Sequence, residues 1–152
     1  MADRRSKSDK LVVRSLKRDE LVLMLDVWRR AGLPYRPKGR DSMPNLILQL
    51  KTNPESFLGA FVDGDLVGVT IISDDGRKGW INRLAVVPET RGKGVAMRLI
   101  RESERILRKR GRHLFCVQIE DYNKGSMKLF EKAGYKREDD IIYFTKRELK
   151  LY

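Results

Sequence analysis

The chain has 152 residues, of which 41% are hydrophobic and 36% charged, and its 33 lysines and arginines outnumber 21 acidic residues to give a net charge of +12. This length is typical of one domain, the single cysteine excludes an internal disulfide framework or a cysteine-based metal cluster, and no apolar run approaches the roughly 18 residues of a membrane span. We therefore expect a cytoplasmic protein that contacts no membrane and binds an anionic partner, unless the charge serves surface ion pairs. Residues 1–10 predict a flexible basic tail, followed by a single domain over residues 11–152.

The first half of the domain predicts one strand and two helices. Residues 11–14 are β-branched, which favours a strand. Apolar side chains recur at intervals of three and four residues over 21–28 and again over 43–50, which predicts a helix at each place. The segment between them, residues 32–41 (GLPYRPKGRD), contains two prolines and two glycines and is predicted to be a loop.

The second half changes to β-branched and aromatic stretches separated by turns. Residues 63–65 (DGD) are typical of a tight hairpin between the first two of these stretches. The predicted elements are, in order, strands at 56–62, 66–73 and 80–86, a long helix from 96 to about 110, a strand at 113–119, a helix at 123–133, and short strands at 135–137 and 141–146. Hairpins followed by a strand–helix–strand crossover predict an α+β or mixed sheet covered by helices.

The glycine-rich turn after the strand at 80–86 is the most informative segment. A helix begins directly after it, so the first backbone N–H groups of that helix have no intrahelical partner and carry the positive end of its dipole. Gly92 and Gly94 let a ligand approach the backbone, and Arg91 and Lys93 add positive charge. These features predict a diphosphate site, although the two glycines can also serve only a tight turn. The spacing matches neither a P-loop nor a dinucleotide-binding fingerprint.

Two segments, separated by a helix and a strand, carry sequence motifs. Residues 91–96 (RGKGVA) fit the pattern Gln/Arg-x-x-Gly-x-Gly/Ala, and residues 123–135 (NKGSMKLFEKAGY) form a second, helical motif. Together they resemble the GNAT superfamily of N-acetyltransferases. The resemblance implies a central twisted, mostly antiparallel sheet of about six to seven strands, splayed between the fourth and fifth strands and flanked by four helices. It also implies transfer of the acetyl group of acetyl-CoA to a primary amine by direct attack, without a metal.

The resemblance further implies a role for the backbone of the fourth strand and of the turn after it. The cofactor-binding residues that it implies are Leu84, Ala85, Val86, Arg91, Gly92, Lys93, Gly94, Val95, Ala96, Asn123 and Phe130. Within this set, the N–H of Val86 would polarise the acetyl carbonyl and stabilise the oxyanion, and the amides of residues 92–96 would hold the pyrophosphate. Asn123 would contact the pantetheine arm, with a helix N-cap as the alternative for this side chain.

Two departures from the family pattern remove side chains that commonly transfer protons. Phe130 stands where many members have the tyrosine that protonates the leaving sulfur, and Gln118 stands where some members have a glutamate general base. Glu120 and Tyr135 are therefore predicted as substitute proton carriers, with Tyr122 as a further candidate, and surface or packing roles are the alternative for each. A site without a strong base favours α-amines or other weakly basic amines over lysine side chains.

The acceptor amine is expected to be a protein N-terminus or a small molecule, and the resemblance implies that it approaches between the first two helices, the loop joining them and the final hairpin. Tyr35 and Arg36 in the loop and Tyr143 on the last strand are the predicted substrate-binding residues, which suits an anionic acceptor, while a solvated loop is the alternative. A catalytically weak module of the same fold, binding acetyl-CoA or associated with a ribosome or nucleic acid, is the competing function. The sequence has no basic strand interleaved with aromatic residues, which disfavours nucleic acid. A homodimer is expected from the frequency of dimers among small soluble enzymes.

Overall fold

The computed structural model describes residues 10–152, so the predicted basic tail lies outside the described residues except for Lys10. The strands are β1 (Leu11–Ser15), β2 (Phe57–Val62), β3 (Asp65–Asp74), β4 (Gly79–Val86) and β5 (Phe115–Cys116). The helices are α1 (Leu21–Arg30), α2 (Met43–Thr52), α3 (Val95–Lys109) and α4 (Lys124–Lys132), with short 3-10 turns at Arg18–Glu20 and Pro88–Thr90. Over the described range, none of the helices combines the length and the apolar character needed to cross a bilayer.

Within residues 10–152, five strands form one sheet in the order β1-β2-β3-β4-β5. Neighbouring strands run antiparallel from β1 to β4, and β5 lies parallel to β4. Asp63 and Gly64 connect β2 to β3 with backbone φ angles of 50° and 88°, the left-handed conformation that a two-residue hairpin turn requires. The predicted hairpin and the predicted mixed α+β class are therefore confirmed.

The parallel pairing between β4 and β5 is short. Gly79 pairs with Phe115 and Trp80 pairs with Cys116, and the ladder ends there although β4 continues to Val86. Of the eight residues of β4, two are paired in this way, which leaves six without a strand partner on the β5 side in the described chain. The predicted splay between the fourth and fifth strands is therefore confirmed.

Helices cover both faces of the sheet. The residues from Leu66 to Ile72 of β3 are buried without interruption, and successive strand residues point to opposite faces, so both faces must be covered. Helices α1 and α3 provide this cover, since both contact β3 and β4. A Cβ atom at Gly68 of β3 would lie 3.0 Å from the Cγ1 atom of Val95. The first turn of α3 therefore rests directly on the backbone of the sheet.

A bulge in β4 lies opposite Thr70 of β3. Two consecutive residues, Arg83 and Leu84, stand opposite this single threonine. Arg83 has a φ angle of 57°, which is uncommon for a residue with a side chain. The Thr70 hydroxyl donates a hydrogen bond of 2.9 Å to the carbonyl oxygen of Asn82, just before the bulge. Bulges bend a strand and change the direction in which a side chain points.

The C-terminal part of the sheet is shorter than predicted. The fifth strand is Phe115–Cys116 rather than 113–119, and residues 135–137 and 141–146 form no strand, so the described sheet has five strands instead of six to seven. The β-branched and aromatic sequence of the last segment favoured a strand, but strand preference depends on packing against a neighbour. Because β5 ends at its second residue, it offers no edge for a further strand, and Phe144 is 86% exposed. The prediction of two final strands is therefore wrong.

An ion pair fixes the start of α1 to β1. The Nη1 and Nη2 atoms of Arg14 each donate a hydrogen bond of 2.8 Å to the carboxylate of Glu20, and the backbone N–H of Lys17 donates another of 2.8 Å. The hydrogen bonds from Arg14 are the main reason that the pKa of Glu20 is lowered to about 2.

Replacing Glu20 with glutamine is expected to lower the melting temperature at pH 7 by roughly 2–4 °C, the shift that corresponds to about 1 kcal/mol in a domain of this size. The pKa of this carboxyl in the folded chain, about 2, lies below the roughly 4.3 of an unfolded glutamate. The ionised carboxylate therefore stabilises the fold fully above about pH 4.3, and its contribution is lost as the pH falls toward about 2. Thermal melts between pH 7 and pH 2.5 should show the two proteins converging in acid, and a constant difference at every pH would contradict this.

Candidate active site

The end of β4 presents an unpaired backbone N–H group. The N–H of Val87 donates to the carbonyl oxygen of Val67 at 2.9 Å, and residue pairs in an antiparallel ladder alternate between hydrogen-bonded and non-hydrogen-bonded. Val86, which stands opposite Gly68, is therefore in a non-hydrogen-bonded pair. Its N–H points away from β3, toward the gap where β5 has separated. It can donate to a carbonyl oxygen of a ligand lying between the two strands.

The turn before α3 leaves the first N–H groups of that helix without partners. Gly92 and Gly94 have φ angles of 80° and 79°, and Gly94 is the N-cap of α3 without a side-chain hydrogen bond. The first backbone hydrogen bond into the helix runs from Arg98 N to Gly94 O at 3.1 Å, so the N–H groups of the three preceding residues are unpaired within residues 10–152. A Cβ atom at either glycine would meet no atom within 4 Å, so the turn faces open space. Such a turn is suited to an anion.

Two basic side chains flank this turn and differ in their surroundings. The guanidinium of Arg91 is held by the protein, because Nε donates to Val86 O at 3.2 Å and Nη2 donates to Ala31 O at 3.3 Å. Arg91 therefore ties the end of β4 to the end of α1. Lys93 is exposed and forms no salt bridge with the described residues, which leaves its charge available to an anion.

Helix α4 has Asn123 at its N-cap and Phe130 in its last turns. The Oδ1 atom of Asn123 accepts a hydrogen bond of 3.1 Å from Ser126 N, so this oxygen caps the helix, as the alternative interpretation proposed. Contact with a pantetheine arm would involve its Nδ2 atom and stays a prediction. Phe130 is 3% exposed and packs edge-on against the ring of Tyr135 with 5.1 Å between centroids, so it offers no proton donor.

The Tyr135 hydroxyl is bound to a carboxylate of α3. It donates a hydrogen bond of 2.9 Å to Glu104 Oε2, and Glu104 also accepts from Arg101 Nη1 at 3.0 Å. Burial, together with the hydrogen bond to this carboxylate, raises the pKa of Tyr135. The hydroxyl therefore remains protonated at neutral pH. Glu120, in contrast, is exposed in the segment after β5, and a proton-transfer role for Glu120 or Tyr135 stays a prediction.

The loop between α1 and α2 borders an aromatic and basic cluster. The ring of Tyr35 is tilted against that of Trp28, with 5.9 Å between centroids. The guanidinium carbon of Arg83 lies 4.4 Å from the centroid of the Trp28 ring. The backbone N–H of Arg36 donates to Asp41 Oδ2 at 2.7 Å. Tyr35 is therefore connected to the bulge through Trp28, and Arg36 is bound to Asp41 through its backbone.

The third predicted substrate-binding residue, Tyr143, is 70% exposed in the segment that forms no strand. Within residues 10–152, no hydrogen bond or ring contact joins it to the cluster around Trp28. Arg83, which does join that cluster, was missed by the sequence analysis. A signal was present, because strict alternation along β4 puts residue 83 on the same face as Ile81, which is fully buried. A charged residue at such a position conflicts with regular strand geometry and indicates a bulge.

Comparison with known proteins agrees with this arrangement. Residues 22–135 match the family model described as the acetyltransferase (GNAT) family. An acetyltransferase of Sodalis glossinidius is 30% identical over 135 residues, which cover 89% of this chain and 94% of that relative. An acetyltransferase of Photorhabdus laumondii is 31% identical over 136 residues, with coverage of 89% and 94%.

Solved structures share the fold. The aminoglycoside N-acetyltransferase AAC(6')-Iy in complex with CoA has a TM-score of 0.74 at 18% identity, over 93% of this chain and 98% of that chain. The PaiA N-acetyltransferase of Thermoplasma acidophilum in complex with coenzyme A has a TM-score of 0.74 at 23% identity, over 87% and 93%. With the splayed strands, the uncapped α3 and the family match all in agreement, this chain belongs to the GNAT acetyltransferase family and is an acyltransferase.

Proposed function

We propose that this chain transfers the acetyl group of acetyl-CoA to a primary amine by direct attack of the neutral amine. The observation that carries the proposal is the short distance in sequence between the unpaired N–H of Val86 and the uncapped N-terminus of α3. A thioester carbonyl and a diphosphate are complementary to these two features, and acetyl-CoA contains both. The relatives named acetyltransferases and the solved neighbours in complex with coenzyme A support this reading.

The residues present fit this cosubstrate. When bound, acetyl-CoA supplies an acetyl group activated as a thioester. The amides of residues 92–96 would hold its diphosphate, and Lys93 would add positive charge. The N–H of Val86 would donate to the acyl oxygen, on which negative charge grows during the attack. In the net reaction a C–N bond forms, the C–S bond breaks, and the amine gives up one proton, which leaves an amide and a thiol.

The site offers little help with proton transfer. Gln118 and Phe130 stand at the positions where related enzymes have a base and an acid. The Tyr135 hydroxyl already donates its hydrogen bond to Glu104. A thiol with a pKa of about 8.5 can leave as thiolate without an acid, so the main requirement is a neutral amine. An α-amine with a pKa of about 8 meets it far better than a lysine side chain at about 10.4. Weakly basic amines are therefore the proposed acceptors, with exposed Glu120 as the candidate that receives the proton through water.

Coenzyme release tests this proposal with peptides whose only amine is an N-terminus and peptides whose only amine is a lysine side chain. The neutral fractions of these amines differ by roughly 200-fold at pH 7 and by roughly 20-fold at pH 9. We therefore expect a strong preference for the α-amine at pH 7 that narrows at pH 9. Lysine peptides that react faster at pH 7 would contradict the assignment. The assay is extended to a panel of peptides, amino acids, polyamines and aminoglycosides. If calorimetry detects acetyl-CoA binding but none of these amines causes release of coenzyme, the competing function of a binding module is favoured.

A further inference from the structure

Three buried nitrogen atoms without hydrogen-bond partners lie at one place between α1 and β4. They are Trp28 Nε1, Arg83 Nε and Arg83 Nη2, and they are the buried side-chain nitrogen and oxygen atoms of residues 10–152 that lack a partner. Their two side chains are in contact, because the Arg83 guanidinium carbon lies 4.4 Å from the centroid of the Trp28 ring. All three atoms can only donate hydrogen bonds. A buried donor without an acceptor is destabilising, most of all on a charged group, so this cluster is complementary to a ligand with acceptor atoms.

The bulge in β4 places the Arg83 side chain there. The left-handed φ of 57° at Arg83 is unfavourable for a residue with a Cβ atom. Such conformations persist only where the surrounding structure enforces them, and they are concentrated at functional sites. The visible result of this one is that a guanidinium lies against a tryptophan ring in the interior.

Over residues 10–152, no acceptor lies within hydrogen-bond distance of Arg83 Nε or Nη2. Asp41 Oδ2 lies 3.7 Å from Arg83 Nη2, beyond hydrogen-bond distance, and it already accepts the N–H of Arg36 at 2.7 Å. Burial lowers the pKa of Arg83, Asp41 opposes that effect, and the nearby charge of Arg40 adds to it. The Asp41 carboxylate therefore pairs with the charge of Arg83 but accepts no hydrogen bond from Nε or Nη2.

We propose that Arg83 and Trp28 form a subsite for a carboxylate of the acceptor, so that the amines acetylated by this enzyme carry a carboxylate group. This inference rests on the proposed acetyl transfer. The two oxygens of a carboxylate match the adjacent donors Nε and Nη2 of a guanidinium, and Trp28 Nε1 supplies a third donor. Arg83 precedes Val86 by three residues on the same strand, so the subsite would lie next to the proposed acyl site. The Arg83 side chain is 24% exposed, but its Nε and Nη2 atoms are buried, so binding there requires a rearrangement that exposes these two atoms.

Kinetics with matched acceptors test the subsite. Leucine and the dipeptide leucyl-glycine are each compared with their C-terminal amides in the coenzyme-release assay. Arg83→Met is expected to lower kcat/KM for the free carboxylates by roughly 10–100-fold, mainly through KM, and to change the values for the amides by less than about 3-fold. Arg83→Lys keeps the charge but not the paired donors, so we expect an intermediate loss. Arg105→Met is the control, because that arginine pairs with Glu102 on the α3 surface and should change neither series.

Thermal melts without acetyl-CoA test the subsite independently of turnover. At 10 mM, the free carboxylates should raise the melting temperature of the wild type and of Arg105→Met but not that of Arg83→Met, and the amides should raise none. The proposal is overturned if Arg83→Met slows both acceptor series equally, or if no carboxylate raises the melting temperature of the wild type. If no amine releases coenzyme from the wild type, the proposed acetyl transfer fails, and the melts still decide whether the carboxylate subsite exists.

Discussion

Replacing Gly94 with glutamate is expected to weaken acetyl-CoA binding by at least about 100-fold and to remove measurable turnover. The new carboxylate would stand at the uncapped start of α3, in the open space that a Cβ at this position meets. At about 4 Å, two like charges repel by about 4 kcal/mol at an effective dielectric of 20, so the variant opposes the diphosphate and also occupies its donors. Calorimetric titration with acetyl-CoA measures the loss.

A matched glycine separates this effect from backbone strain. Gly76 has a φ of 87°, close to the 79° of Gly94, and a Cβ there also meets no atom within 4 Å. It lies in the turn between β3 and β4 rather than next to α3. Gly76→Glu should therefore lose similar stability and gain the same charge while binding acetyl-CoA as the wild type does. Equal affinities of the two variants for acetyl-CoA would show that the turn at residues 91–96 does not bind the diphosphate.

Replacing Val86 with proline is expected to lower kcat by roughly 100–1000-fold, the usual cost of losing one donor to a developing oxyanion. Proline lacks the backbone N–H, and at this position that group takes no part in the ladder with β3. The sheet should therefore lose no hydrogen bond, and acetyl-CoA affinity should change by only a few-fold. Stopped-flow or steady-state coenzyme release, together with calorimetric binding, separates the two quantities.

Val86→Ala is the control for this substitution. It keeps the N–H and removes two methyl groups from a side chain that is 8% exposed, so it should cost some stability while kcat stays within a few-fold of the wild type. A proline variant that turns over as fast as the alanine variant would show that another group stabilises the oxyanion.

Local sequence was sufficient to predict the conformation of the glycine-rich turn. The left-handed backbone at Gly92 and Gly94 could be predicted without knowing the rest of the fold, because a positive φ angle and close approach to the backbone depend on the glycines themselves. The hairpin at 63–65 was predictable for the same reason. The splay followed only from the family resemblance, since nothing in the residues of β4 shows that its ladder with β5 ends at Trp80.

The cluster of Trp28 and Arg83 depends on register and packing, which a linear pattern does not contain. Two consecutive residues of β4 oppose Thr70, and this offset carries Arg83 to Trp28. The apolar stretch at 141–146 failed as a strand because its preference needed an adjacent edge that β5 does not provide. Asn123 could be predicted as a helix N-cap from its residue type alone, and its Oδ1 has that role.

The double hydrogen bond of Arg91 has a mechanical consequence. Its guanidinium donates to the carbonyl oxygens of both Val86 and Ala31, so one side chain joins the end of β4 to the end of α1, which leads into the loop at residues 32–41. Their separation is set during folding, before either substrate arrives. In the proposed reaction, this connection would hold the two binding regions at a fixed separation, so that part of the entropy loss of bringing two molecules together is met by the folded chain.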